Sequence, residues 1–466
     1  MGTATSAFRR ELGALDSYAA LVGILVGAGI FRVTGDAYLE TGPSVVLGYV
    51  VLAPVVLATA IPYAAFLALP AATGESRGGG GDYSHIVAVF GAGRIAFLAG
   101  WLKLISYLGA AAYLALTVAD YGIELCGTLG VPADPDLSPT IATACLVGFW
   151  WIQAAGVRWF ARTQTIMFLA LLVAIAVLVV PGVFAIEARH YQPFFAHGAG
   201  GFFASLPPLF FAYAGFEALA HHRAEVKDSA RRLPRVFLGG TAAATIIFVA
   251  MAGVALGTID GAAIRASNAP MATAAASYLP AGAAAIVALG GVLAAATSVN
   301  ATLAVPPRLA MTLADEGLLP RSLGRVHGGS GTPRAALLVT LVTSSALLWS
   351  GQLGFVLHIA VLSLMMVYLL HGLALLAAPR RRPELWAAMA GTTRPGLART
   401  AAIVSAATLT LLIATLVVTD VRTILGTDLA TRFAAGRLTS IELWLAWAAI
   451  GLALHALASR GTRSAQ

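Results

Sequence analysis

The chain is poor in charge. Of its 466 residues only 11% are Asp, Glu, Lys or Arg, against 59% hydrophobic. The loops reach about 20 to 25 residues at most, which leaves no room for a separate soluble domain. There are only two cysteines, Cys126 and Cys145. That excludes a disulfide scaffold, and the two are expected to be incidental membrane thiols. No Cys/His cluster has metal-ligand spacing. The glycine run Gly78 to Gly81 is not followed by Gly-Lys-Ser/Thr, so it is not a phosphate loop. No nucleophile elbow is present. The sequence therefore implies no enzyme and no cofactor. It also lacks apolar–polar alternation, which excludes a membrane β-barrel and leaves helices to satisfy the backbone.

What remains is a succession of apolar runs. A run of about 20 residues crosses a hydrocarbon core of roughly 30 Å. Twelve occur, near 15–33, 44–70, 92–119, 138–156, 160–184, 200–222, 236–258, 283–313, 334–350, 353–378, 400–419 and 440–459. The second and eighth are long, which predicts tilt or extra turns outside the membrane. The first lacks a small-residue cleavage site and is expected to be a retained helix. The net charge of +8 is a topology signal. With the N-terminus inside, 22 Lys and Arg fall on the cytoplasmic side and five on the other; Arg32 and Lys103 lie within or at the edge of spans. The positive-inside rule then places 1–14 and 460–466 in the cytoplasm of a multi-pass cytoplasmic-membrane protein. The basic side meets anionic lipid headgroups, and no nucleic-acid partner is implied.

Two spans carry helix-breaking clusters in their middles. The first contains GILVGAGIF over residues 23–31. The sixth contains PPLFFAYAGFEALAHH, with Pro207 and Pro208 entering and Gly215 central. Gly23-x-x-x-Gly27 alone also fits a helix-packing face. Two breaks five spans apart fit inverted repeats that each begin with a discontinuous helix, a design that puts free backbone groups at the membrane midplane.

In order, these residues resemble the amino acid–polyamine–organocation superfamily. Gly27-Ala28-Gly29-Ile30-Phe31 is similar to its G-[SA]-G-[IV]-F signature. PAATGESRGGGGDYSHIVAVFG resembles the loop after its second helix, and FLAGWLKLISY its third helix. FFAYAGFEALAHHRAEVKDSARRLPR resembles its sixth helix and the loop beyond, including Glu225 and Lys227. LADEGLLPRSLGRVHGGSGTP is similar to the loop after helix eight. The resemblance implies an all-α leucine-transporter-like fold of twelve transmembrane helices. It has a 5+5 inverted repeat, 15–184 and 200–378, with helices 1 and 6 broken. Two C-terminal helices follow at 400–459.

Unwinding at Leu25, Val26, Gly27, Ala28 and Gly29 would leave amides facing inward, where a helix N-terminus suits a carboxylate. The facing break, Phe211, Ala212, Tyr213 and Ala214, would offer carbonyls to an α-ammonium group. The resemblance implies the same assignment and places Phe211 over the substrate as a gate, although an ordinary core aromatic fits it too. Glu217, one turn on, gates, carries a proton, binds a cationic substrate, or holds a backbone amide or Lys103. Lys103 holds a carboxylate, stands in for a cation, favours an acidic substrate, snorkels, or forms a structural ion pair. Tyr107 shares its helix face. Arg32 is a gate or ion-pair residue, with Asp36 at i+4 as partner, or an interfacial anchor. In sodium-coupled relatives hydroxyls of helix eight bind the ion with helix-one carbonyls. Thr297 and Ser298 stand there, with Asn300 nearby, but such hydroxyls also bond back to their own helix. Other relatives carry a helix-five lysine, and TQTIMFLALLVAIAV has none. His358 is either a pH-responsive cavity group or a structural histidine.

The expected function is secondary transport of an amino acid by alternating access, as symport with H⁺ or Na⁺ or as exchange. An amine, polyamine or cationic amino acid exchanger is the alternative within the class. A substrate-gated channel or a transporter-like sensor is the alternative outside it.

Overall fold

A computed structural model describes the chain except residues 1–12, 28, 68, 70–80, 218, 220–225, 329, 351–352, 391–393, 435–437 and 464–466. Ala28, most of the Gly78 to Gly81 run, and Glu225 thus lie outside the described residues. The first five spans are built from α1 (Ala14–Leu25), α2 (Thr34–Thr41), α3 (Val45–Leu67), α4 (Gly81–Phe90), α5 (Arg94–Thr128), α6 (Ser138–Ala155) and α7 (Val157–Gly182). The next five use α8 (Gly198–Ala212), α9 (Ser229–Thr258), α10 (Gly261–Ala266), α11 (Pro270–Tyr278), α12 (Ala281–Leu303), α13 (Val305–Asp315), α14 (Arg334–Trp349) and α15 (Leu353–Arg381). Last come α16 (Pro383–Ala390), α17 (Pro395–Gly426), α18 (Leu429–Ala434) and α19 (Ser440–Arg463).

Among the described residues nine helices are long and apolar enough to cross a membrane, and two shorter apolar ones, Gly198–Ala212 and Arg334–Trp349, join them. The first of the nine, Ala14–Leu67, contains both the first and second runs. No strand occurs among the described residues. The protein is therefore an all-α polytopic membrane protein. The long eighth run divides after Leu303: Pro306 and Pro307 open a new helix, α13, which resolves its excess length. The third run extends further than hydropathy predicts. α5 stays helical to Thr128, past Asp120 and Glu124, because charge ends an apolar run without ending a helix.

α5 and α12 form the buried centre. Lys103, Ser106 and Thr117 on α5 are 0–1% exposed, as are Thr297, Ser298 and Asn300 on α12. Outer helices present the opposite pattern. Trp151, Ile166, Val173, Ile246, Val342 and Leu411 are exposed, an apolar belt that suits lipid contact.

α19 is mostly exposed but packs rings on α5, where Phe97 and His455 lie 5.1 Å apart and a tryptophan pair clamps the two helices. Trp101 and Trp447 stack at 4.4 Å, and each indole N–H donates to the other residue's carbonyl at 2.9 Å. Trp447→Ala removes the stack and the bond donated by its own indole, while the carbonyl of residue 447 can still accept from Trp101. It is expected to cost about 3–5 kcal/mol of stability, read from the unfolding midpoint in detergent, while leaving substrate preference unchanged. An unshifted midpoint would show that α19 is held elsewhere.

Candidate functional site

The first break is short. α1 ends at Leu25, and a π-helical turn begins at Gly29 and runs through Val33 into α2. The first amides of such a run have no acceptor within it. The second break follows Ala212. Tyr213 donates to the Phe210 carbonyl at 3.0 Å and Ala214 to the Phe211 carbonyl at 2.9 Å, and Gly215 turns the chain with φ +99°. That φ favours glycine. The Phe211 carbonyl, expected to be free, thus already accepts one turn hydrogen bond.

The breaks meet backbone to backbone. A Cβ on Gly29 would lie 2.5 Å from Ala212 Cα, and one on Gly27 would lie 1.6 Å from Ser298 Oγ. Ile24 packs over Gly215 in the same way. The Gly-rich run is therefore both a helix break and a close packing face.

Between the breaks lies a cavity of about 30 Å³, room for roughly two waters. Ile24 and Gly29 line it from the first break, and Phe211, Ala212, Ala214 and Gly215 from the second. α5 adds Ser106, Tyr107, Ala110 and Leu114; α12 adds Ser298 and Thr302; α15 adds Leu364. No charged side chain lines it among the described residues. Of the residues singled out in the sequence, Gly29, Tyr107, Phe211, Ala212, Ala214 and Ser298 come together here. Leu25, Val26, Gly27, Tyr213 and Thr297 are buried beside it without lining it. Tyr213 turns away because its hydroxyl donates to the Tyr49 carbonyl at 3.1 Å, within an aromatic group with Phe248.

Lys103 and Glu217, singled out in the sequence as substrate ligands, do not line the cavity. They are engaged with each other. Lys103 Nζ donates to Glu217 Oε1 at 2.7 Å and to Asp82 Oδ2 at 3.0 Å. Tyr107 donates to Glu217 Oε1 at 2.7 Å, and Tyr368 and the Gly215 amide both donate to Oε2, the amide at 3.1 Å. Tyr63 donates to Asp82 Oδ2 at 3.1 Å. Lys103 and both carboxylates are at most 1% exposed, so Lys103 does not snorkel. Four donors on two oxygens leave Glu217 little capacity for a substrate cation. Through Gly215 it instead holds the second break in shape.

Arg32 pairs with Asp120 of α5, not with Asp36. Asp36 accepts from Tyr113 at 3.0 Å, and the Arg32 guanidinium lies 5.5 Å from the centre of the same ring. Asp120 lies beyond the end of the apolar run, so the intrahelical i+4 partner was the only one spacing alone could offer. On its other side Tyr113 meets Phe211 edge-on at 6.1 Å. Arg32, Tyr113 and Phe211 thus separate the central cavity from an outer one of about 460 Å³. The outer cavity is lined by Arg32, Asp36, Tyr113 and His358 among others, so His358 faces this space. Tyr113→Leu is expected to thin the partition, read as faster labelling of Ala110→Cys by a water-soluble thiol reagent. An unchanged labelling rate would count against the partition.

Thr297 Oγ lies 2.7 Å from both the Gly23 and the Ala294 carbonyl, which share its single proton, and Ser298 Oγ donates to the Ile24 carbonyl at 3.0 Å. The two hydroxyls thus cap the end of α1, and Thr297 also bonds back to its own helix. Cys126 and Cys145 are free. Sequence reasoning missed Asp82, Tyr63 and Tyr368 in the ion network, and Ile24, Ala110, Leu114 and Leu364 in the lining. Asp82 sits in the quoted GGGGDYSH stretch and carried the only available signal, an acid next to an apolar run.

A polytopic helical bundle with two broken helices closing on a cavity that no charged side chain lines among the described residues has the architecture of a membrane carrier. A family model described as amino acid permease matches residues 12–435, and the chain belongs to that family. It is 25% identical to the branched-chain amino acid permease BcaP of Bacillus subtilis, covering 81% of this chain and 82% of that protein. It is 29% identical to the large neutral amino acids transporter small subunit 2 of Oryctolagus cuniculus, covering 75% and 67% respectively. It is 23% identical to a methylthioribose transporter of Bacillus subtilis, covering 81% and 82%.

Proposed function

We propose that this protein is a secondary transporter of neutral L-amino acids across the cytoplasmic membrane, with both termini in the cytoplasm. One observation carries the reading: both breaks contribute to a cavity with no charged lining among the described residues. A zwitterion needs one anion site and one cation site. Amides at the start of the Gly29 turn suit its carboxylate, and carbonyls of Ala212 and Ala214 suit its ammonium. Ile24, Leu114, Phe211 and Leu364 leave an apolar space for the side chain. The names of the relatives, branched-chain and large neutral, support a neutral side chain. The saturated Glu217 argues against a cationic amino acid or polyamine.

Residues 15–184 and 200–378 form the two inverted repeats in this reading. Helices one, two, six and seven rock against the rest to give alternating access. The narrow cavity fits a closed conformation that must widen to admit substrate.

The test is counterflow and uptake in proteoliposomes across an amino acid panel, with Na⁺ and pH gradients imposed separately. Saturable flux of neutral L-amino acids is expected. No saturable flux of any amino acid, or steady conductance without saturation, would overturn the reading in favour of a sensor or a channel.

A further inference from the structure

We propose that Tyr49 fixes the distance between the two ends of the site, so that the protein selects α-amino acids over β-amino acids. The inference rests on the transport reading above. It concerns α3, which supplies none of the described lining of the central cavity. Thr34, just beyond the first break, donates through Oγ1 to the Ile30 carbonyl at 2.7 Å. Its oxygen is then left to accept from the Tyr49 hydroxyl at 2.9 Å. Ile30 directly follows Gly29, where the amides for a carboxylate begin.

The second break is tied to the same residue. The Tyr213 hydroxyl donates to the Tyr49 carbonyl at 3.1 Å. Tyr213 stands between Ala212 and Ala214, whose carbonyls suit the ammonium. Thr34, Tyr49 and Tyr213 are each at most 1% exposed. The ring of Tyr49 meets those of Tyr213 at 6.0 Å and Phe248 at 5.4 Å, and Phe248 meets Tyr213 at 4.8 Å. α3 also closes tightly on α8, since a Cβ on Gly48 would lie 2.6 Å from Leu209 Cδ1. Tyr49 is thus a strut behind both breaks, with its side chain on one and its carbonyl on the other.

Such a strut matters because the site reads a separation. One carbon joins the carboxylate and ammonium of an α-amino acid, and two join those of a β-amino acid. The extra bond adds up to about 1.5 Å between the charged ends. Backbone donors and acceptors cannot follow that change as long side chains could. The contact of Gly29 with the Ala212 backbone keeps the breaks from approaching further. The Tyr49 strut keeps them from separating. One end of a β-amino acid is then buried without its partner, which costs affinity.

Tyr49 is a positioning residue, so the test reads a ratio between two compounds as well as activity. L-Leucine and L-β-homoleucine carry the same isobutyl side chain. Their competition in counterflow is measured in proteoliposomes, and the shift each gives to the unfolding midpoint is measured in detergent. The wild type is expected to prefer leucine by about tenfold or more. Tyr49→Phe keeps the ring contacts and the carbonyl but loses the bond to Thr34. Thr34→Val cuts the same link from the other side. Each is expected to lower the preference by about fivefold, and Thr34→Ser, which keeps the hydroxyl, to retain it. General damage would weaken both compounds alike and leave the ratio unchanged. A wild type without the preference, or a folded Tyr49→Phe or Thr34→Val protein with the wild-type ratio, would overturn the proposal. Tyr213→Phe cuts the other arm of the strut and decides the question if neither variant folds. No flux of any amino acid would refute the transport reading instead, and the midpoint shifts would still decide the preference.

Discussion

Lys103→Met is expected to leave little folded protein and no measurable transport. Lys103 is the cation shared by Asp82 and Glu217, and neither carboxylate is more than 1% exposed. Methionine keeps the volume but leaves two carboxylates facing each other in a dry centre. Removing one partner of a buried ion pair costs about 3–5 kcal/mol. Total stability is typically about 5–15 kcal/mol, so the loss is a large share of it. The damage also reaches the site, because Glu217 fixes the Gly215 amide at the second break. Glu217→Gln should be milder, since Lys103 keeps Asp82 and the amide oxygen still accepts from Gly215 or Tyr107. Monodisperse yield and the unfolding midpoint in detergent measure both variants. A Lys103→Met protein as stable as wild type would mean that the network is not needed to hold the centre together.

The second large effect is expected at Gly29. In Gly29→Val the first added carbon would meet the Ala212 backbone at 2.5 Å for Cα and 2.9 Å for the carbonyl oxygen. Backbone cannot swing aside as a flexible side chain can, so the two breaks must separate. Overpacking of this kind costs about 1–3 kcal/mol. If that cost falls on the substrate-bound geometry, affinity drops by about 5- to 150-fold. The protein should still fold, because the strain is local to the cavity. Initial rates of uptake against substrate concentration, with size-exclusion profiles as the folding control, distinguish this from general damage. Wild-type kinetics in a folded Gly29→Val protein would show that the contact between the breaks is dispensable.

Which features were legible in the sequence follows from how each is encoded. The spans were legible because a bilayer demands length and apolarity, and few other contexts do. The paired breaks were legible because glycine and proline clusters have local causes, and their spacing repeats. Long-range pairings were not. Arg32 meets Asp120, 88 positions away. Asp120 lies on a part of α5 that hydropathy does not reveal. The Asp82–Lys103–Glu217 network joins three separate elements, and any of its members has plausible nearer partners in sequence. The apolar lining was also invisible: Ala110, Leu114 and Leu364 look like every other residue in a chain that is 59% hydrophobic.

Backbone recognition of an amino acid's two charged ends is tested most directly by blocking those ends. Inhibition of neutral amino acid counterflow is measured with L-leucine, L-leucine methyl ester, N-acetyl-L-leucine and isoamylamine, which share one apolar side chain. Free leucine alone is predicted to compete well, because each blocked or truncated analogue lacks the partner for one break. Competition by the ester or the amine as strong as that of leucine would contradict the carboxylate site at Gly29. Competition by the N-acetyl compound as strong as that of leucine would contradict the ammonium site at Ala212 and Ala214.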